Sequence, residues 1–225
     1  MSDGEIRCEN LFKIYHEGEP NECRAVNGVD LTIGLGEYAS IIGPSGSGKS
    51  TLLNLISCLD TPTKGEVYIE DVGITGLNSL RKAKLRREKL GFIFQQFNLI
   101  PTMSAAENIE LAMRFKGIPR VERKKRVGEL LELVGLSDKA SNRPSEMSGG
   151  QQQRVAVARS LSNNPQIILA DEPTGNLDQT TGRIIRELLE RLNYEENRTL
   201  IIVTHDTRIA DDARRKIEIV DGRIR

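Results

Sequence analysis

The sequence has no net charge, because 32 Lys and Arg residues balance 32 Asp and Glu. No global field therefore draws the protein to nucleic acid or to an anionic membrane surface. Long apolar runs are also missing. Ile167 to Ala170 and Leu200 to Val203 are among the longest, far short of the roughly 20 residues a bilayer crossing takes. The opening MSDGEIRCEN is acidic and without an apolar stretch, so no secretory signal is expected there. Cysteine is scarce. Cys8, Cys23 and Cys58 are odd in number, scattered and without metal-ligand spacing, which fits structural thiols in a reducing compartment. There is no internal repeat, low-complexity tract or obvious linker.

What is present suits a soluble globular chain. Of its 225 residues, 38% are hydrophobic and 28% charged, enough for a sizeable core. Short apolar strands alternate with amphipathic helices, which predicts an α/β fold. Strands are expected at Tyr38 to Ile42, Gly65 to Ile69, Gly91 to Phe94, Gln166 to Ala170 and Thr199 to Thr204. A closing hairpin is expected from Ile217 through Asp221-Gly222 to Arg225. Helices are expected from Lys49, through Val127, Leu130, Leu131 and Val134 up to Gly135, from near Ser148, and along Ile184, Ile185, Leu188, Leu189 and Leu192. The notable polar residues follow the strands: Gly43 onward, Gln95, Asp171-Glu172 and His205. In open parallel sheets ligands bind at the carboxyl ends of strands, so four segments point at one crevice.

GPSGSGKST, Gly43 to Thr51, fits G-x-x-x-x-G-K-[ST]. Gly43, Pro44, Ser45, Gly46, Ser47 and Gly48 form a loop whose N–H groups can wrap phosphates. The helix from Lys49 adds its positive dipole end. Lys49 is expected to reach the β- and γ-phosphates, Ser50 to offer a hydroxyl to Mg²⁺, and Thr51 to continue the site. IILADEP places Asp171 and Glu172 at a strand end. Asp171 would hold the Mg²⁺ shell and Glu172 would act as general base on the attacking water; the alternative is two surface acids opening a turn before Pro173. Gln95 can touch Mg²⁺ or that water, and His205 can donate to the γ-phosphate. The plain alternative for each is a polar residue satisfied at a strand terminus.

These elements stand in an order that closely resembles an ABC-type ATPase subunit: Tyr15, GPSGSGKST, Gln95, MSGGQ, IILADEP, GNLD and VTHD. FQQFNLIP, RPSEMSGGQQQRVAVARSL and ADEPTGNLD resemble the ATPases of lipoprotein-release and macrolide-export transporters and of the cell-division complex. The resemblance implies one ABC ATPase domain over residues 1–225. It would have a parallel sheet core, an antiparallel β subdomain and a helical subdomain at about 98–160. It also implies ATP and Mg²⁺ as cofactors and a head-to-tail homodimer with ATP at the interface. Ser148, Gly149, Gly150 and Gln151 would then face the partner's ATP, Tyr15 would stack on adenine, and Asp178 would couple the two sites. Met147 departs from the leucine usual before SGGQ, a swap that conserves volume.

By the same resemblance, the segment from Asn98 to Ser145 and the one at Gln95 form a groove that grips an integral membrane permease, at the cytoplasmic face of the membrane. The basic stretches Arg81 to Lys89 and Arg120 to Arg126 read as solvated helix faces, or as contacts to lipid headgroups or a permease loop. Export or lipoprotein release is the leading expectation, with a cell-division-type ATPase that bends a membrane partner as the alternative. A role on DNA or the ribosome is disfavoured by zero net charge and by the lack of room for coiled-coil insertions or a second cassette.

Overall fold

The computed structural model describes residues 4–225; of the opening decapeptide, residues 1–3 lie outside the described residues. Two long strands come first, β1 (Gly4–Tyr15) and β2 (Cys23–Gly34). There follow β3 (Tyr38–Ile42), α1 (Lys49–Ile56), β4 (Lys64–Ile69), β5 (Val72–Gly73), α2 (Ser79–Lys89) and β6 (Leu90–Ile93). Next are three helices, α3 (Ala105–Lys116), α4 (Arg120–Leu133) and α5 (Gly149–Ser160). The chain closes with β7 (Ile167–Asp171), α6 (Gln179–Tyr194), β8 (Thr199–Val203), α7 (Thr207–Asp212), β9 (Arg215–Val220) and β10 (Arg223–Ile224).

The strands form two sheets. An antiparallel sheet runs β2-β1-β4-β5, and a six-stranded sheet runs β10-β9-β3-β8-β7-β6. In the second sheet β9, β3, β8, β7 and β6 are parallel, and only β10 is antiparallel, joined to β9 by a tight hairpin. Strands buried on both faces read as continuous apolar runs, and β8 is buried at every residue.

Alternate residues of these strands face two different cores. Ile168, Ala170, Leu200 and Ile202 join α3, α4, α5 and α6 on one side. Ile167, Leu169, Ile201 and Val203 join α1 and the antiparallel sheet on the other. The sheet thus separates a helical half from a half that carries the phosphate-type loop.

Local signals set the helix ends. Ser104 and Glu107 form a reciprocal capping box at the start of α3, and Gly117 ends it in the left-handed conformation. Gly135, just past α4, is also left-handed. One residue departs from the amphipathic expectation: Ile184 of α6 is exposed, at the margin of the buried stripe formed by Ile185, Leu188, Leu189 and Leu192. It lines a surface groove with Leu133, Arg154 and Arg191.

Candidate functional site

The crevice begins where β3 ends. Gly43 has φ 148° and Gly48 has φ 100°. A side chain at Gly43 would run into the Ile219 carbonyl oxygen, and one at Gly48 into the Ala25 carbonyl oxygen. Only glycine allows the loop to curl this tightly against β2 and β9. The hairpin between β9 and β10 secures it further, since Gly222 N donates to Ser47 O at 3.0 Å. Lys49 Nζ donates to the carbonyls of Gly43 (2.9 Å) and Pro44 (2.8 Å), which holds the ammonium within the loop. Ser47 Oγ is buried without a partner.

The parallel pairing of β3, β8 and β7 brings the next groups alongside. Ser50 Oγ donates to Asp171 Oδ1 at 3.2 Å. Burial pushes the Asp171 carboxyl above the usual carboxylate range, and the neighbouring Glu172 adds to this, against the opposing pull of Ser50 and Lys49. The donors fit Mg²⁺. The Ser50 hydroxyl, the Asp171 carboxylate and the Gln95 amide are hard oxygen groups, and Mg²⁺ characteristically takes one or two carboxylates and fills its shell with water and phosphate oxygens.

Glu172 is held in a left-handed backbone conformation, φ 47°. That is uncommon for a residue with a side chain and is found where surroundings over-determine it. Both carboxylate oxygens are engaged. His205 Nδ1 lies 2.7 Å from Oε1, and Thr204 Oγ1 donates to Oε2 at 3.2 Å. His205 therefore sits on Glu172, where the sequence left open a phosphate partner or a satisfied position at a strand terminus. Its side chain is 72% exposed while that of Glu172 is 13% exposed, so the imidazole is the free partner of the pair. Gln95 follows β6 in an exposed position, and its carbonyl accepts from Asn176 Nδ2 at 2.9 Å. A Cβ built on Gly175 would lie 3.1 Å from Gln95 Nε2, so the Gln95 amide lies against the turn that follows Glu172.

Tyr15 ends β1 on the far side of the loop. Its hydroxyl donates to Asp60 Oδ2 at 2.9 Å, and Lys13 stands over its ring at 4.9 Å. Burial and the bond to Asp60 raise the Tyr15 phenol, against the pull of the Thr51 hydroxyl beside it. The ring therefore lies next to the phosphate-type loop, with Lys13 over it.

The second turn is built differently. Ser148 Oγ accepts from Gln151 N at 3.3 Å, and Gln151 Oε1 accepts from Ser148 N at 2.9 Å, a capping box that starts α5. Asp178 caps α6, accepting from Thr181 N at 3.0 Å and from Thr181 Oγ1 at 2.7 Å; those bonds hold its carboxyl below the usual range. Thr181 also packs on Gly150, where an added Cβ would collide with its methyl group. The structure thus joins Ser148, Gly150, Thr181 and Asp178 into one edge. Among the described residues no hydrogen bond links the Ser148 turn to the Gly43 loop of the same chain.

Sequence reasoning missed Thr204, Thr181 and Asn176. For Thr181 the signal was available, because Asp178 three residues ahead is capping spacing. Thr204 reads as one more residue of a buried strand, and Asn176 acts only through a contact across the crevice.

The ABC transporter family model matches residues 26–175. An uncharacterized ABC transporter ATP-binding protein of Thermotoga maritima is 52% identical over 215 residues, 96% of this chain and 91% of that protein. The macrolide export ATP-binding/permease protein MacB of Brucella melitensis is 46% identical over 219 residues. That alignment covers 97% of this chain but 34% of MacB, so the chain spans about a third of that longer protein. Among solved structures, the chain is similar to the dimeric MJ0796 ABC transporter cassette of Methanocaldococcus jannaschii. The TM-score is 0.91 at 49% identity, covering 97% of this chain and 96% of the other.

Proposed function

Because this chain belongs to the ABC transporter family, we propose that it is an ATP-hydrolysing subunit that closes into a homodimer on ATP and thereby drives a membrane permease of the export type. The observation that carries this reading is the convergence at the strand ends: Ser50 on Asp171 at 3.2 Å, and Glu172 on His205 at 2.7 Å.

The Gly43–Thr51 loop and the α1 dipole bind the phosphates. Lys49 moves from the loop carbonyls to the β- and γ-phosphates and balances charge on the phosphoryl group. Ser50 and Asp171 would hold Mg²⁺, which supplies charge neutralisation on the phosphates. Glu172 accepts the proton of the attacking water as its oxygen bonds to the γ-phosphorus, and the bond to the bridging oxygen breaks to leave ADP and phosphate. Tyr15 supports the adenine. The Ser148–Gln151 turn serves the partner's ATP, since it presents helix N–H groups but is not bonded to its own loop. Asp178 borders that turn through Thr181 and is the group that links the two sites. Shifting such a dimer from 1:99 to 99:1 takes about 5.5 kcal/mol. Hydrogen bonds to charged groups are worth about 1.5–3 kcal/mol each, so one or two per site are enough.

The helices of about residues 98–160 serve as the helical subdomain. Beside them lies a groove of about 800 Å³ with an apolar lining that includes Leu80, Phe92, Phe94 and Phe115. Leu80 is 83% and Phe115 69% exposed, so the groove presents apolar side chains to solvent. Lys84, Arg86, Arg87 and Arg159 also line it, and no carboxylate does among the described residues. An amphipathic permease segment with an acidic side chain suits this surface. It would hold the subunit at the membrane although no helix among the described residues is long and apolar enough to cross one. MacB, by name an ATP-binding/permease protein for macrolide export, supports export over a purely mechanical role.

The test is Glu172→Gln with Mg²⁺ and ATP, sized by light scattering. An ATP-dependent dimer with little hydrolysis is expected; strictly monomeric protein at saturating ATP would refute the closed-dimer reading. Capture of a permease by the same variant from native membranes tests the partner.

A further inference from the structure

Two consecutive residues, Thr204 and His205, hold the two oxygens of Glu172, but they differ in freedom. The His205 side chain is 72% exposed, whereas Thr204 is fully buried. Thr204 is also fixed from both ends. Its backbone N donates to Ile41 O at 3.2 Å, next to the phosphate-type loop, and its hydroxyl accepts from Asp206 N at 3.0 Å. With that N–H on one side of the oxygen, the hydroxyl proton is directed at Glu172 Oε2, 3.2 Å away. Glu172 N in turn donates to Val203 O at 2.9 Å, so the acid and the threonine are locked across the β7–β8 ladder.

If His205 turns to the γ-phosphate, Glu172 loses its Oε1 partner. Thr204 is then the donor that remains, and it cannot follow His205 because it has no exposed surface through which to swing. The geometry points to Thr204 as the positioning residue of Glu172, fixing the carboxylate toward the attacking water while His205 changes partners. This rests on the reading of Glu172 as general base. It adds a residue that acts through Glu172 rather than on the nucleotide.

The experiment is steady-state ATP hydrolysis by Thr204→Val and Thr204→Ser, each alone and combined with Glu172→Gln. Thr204→Val keeps the shape but removes the donor. Its kcat should fall at least about tenfold, the size of one hydrogen bond to a charged group, while KM changes less than about twofold. Thr204→Ser should restore most of the rate. In the Glu172→Gln background, Thr204→Val should cause no further loss, because the two act as a unit. Should the valine variant not accumulate as folded protein, Thr204→Cys, with its weak donor, gives the same test with a kcat well below that of serine. A kcat for Thr204→Val within about twofold of wild type overturns the proposal, as does a serine variant no better than valine. Additive losses in the double variant overturn it too. Normal turnover by Glu172→Gln alone would instead overturn the general-base reading beneath it, so the two failures are distinguishable.

Discussion

Replacing Gly150 with alanine sets helix propensity against packing. Gly150 is the second residue of α5 and does not have a positive φ, so alanine there would ordinarily gain about 1 kcal/mol. A Cβ at this position, however, collides with Thr181 Cγ2, with Thr181 Oγ1 at 3.0 Å and Cβ at 3.2 Å close behind. Thr181 cannot simply rotate away, because its hydroxyl donates to Asp178 at 2.7 Å. Either α5 and α6 separate or that bond breaks, and overpacking of this kind costs about 1–3 kcal/mol. With Thr181→Ser already present the methyl is gone, and Gly150→Ala should show mainly its propensity gain. The coupling between the two substitutions should therefore be about 1–3 kcal/mol, read from urea midpoints at constant m-value. Equal effects of Gly150→Ala in both backgrounds would refute the contact. The pair also separates two uses of this glycine. If the partner's ATP approaches the bare α-carbon, Thr181→Ser should rescue the stability of Gly150→Ala without rescuing ATP-dependent dimerisation.

Other outcomes follow from the same geometry. Lys49→Ala should lower turnover on the order of 10²-fold, as expected for removal of a charge partner of the transition state; near-normal phosphate release would remove the loop from the mechanism. Burial raises Cys8 to about 12, with a contribution from Asp30, and Cys58 to about 11, so both stay protonated at pH 8, while Cys23 is exposed. A thiol reagent at pH 8 should label one cysteine promptly and the other two only in denaturant; three prompt thiols would contradict this burial. Phe115→Asp should leave the ATPase rate of the isolated subunit within about twofold yet reduce capture of the membrane partner, because Phe115 lies in the groove and away from the crevice.

The legible parts of the sequence were those where one local rule acts alone. The loop from Gly43 to Thr51, the doubly buried strands β3, β7 and β8, and the Asp221-Gly222 hairpin lie where composition places them. Strands β1 and β2 were not legible, although each has 12 residues. Their pairing shifts register between Cys8 and Leu11 and again between Leu11 and Phe12, and Asn10 has φ 44°. Such bulges break the two-residue alternation by which strands are recognised. In the crevice, residue types and order could be read, but partners could not. That His205 sits on Glu172, that Thr181 fills the space over Gly150, and that the Tyr15 hydroxyl bonds to Asp60 all depend on which strands and helices become neighbours. Ile184 has the character of a core residue but falls just off the buried arc of its helix.

The two cores on opposite faces of the parallel sheet have no buried side chain in common. Free energy of unfolding is commonly distributed over such units unevenly. The expected outcome is that the helical half opens as a sub-global unit while the half carrying the Gly43 loop keeps its amide protection. In a native-state hydrogen-exchange map, amides of α3 and α4 would share one opening free energy and those of α1 and β4 another. Within a single fold, the helical end would loosen without unmaking the end that carries the phosphate-type loop.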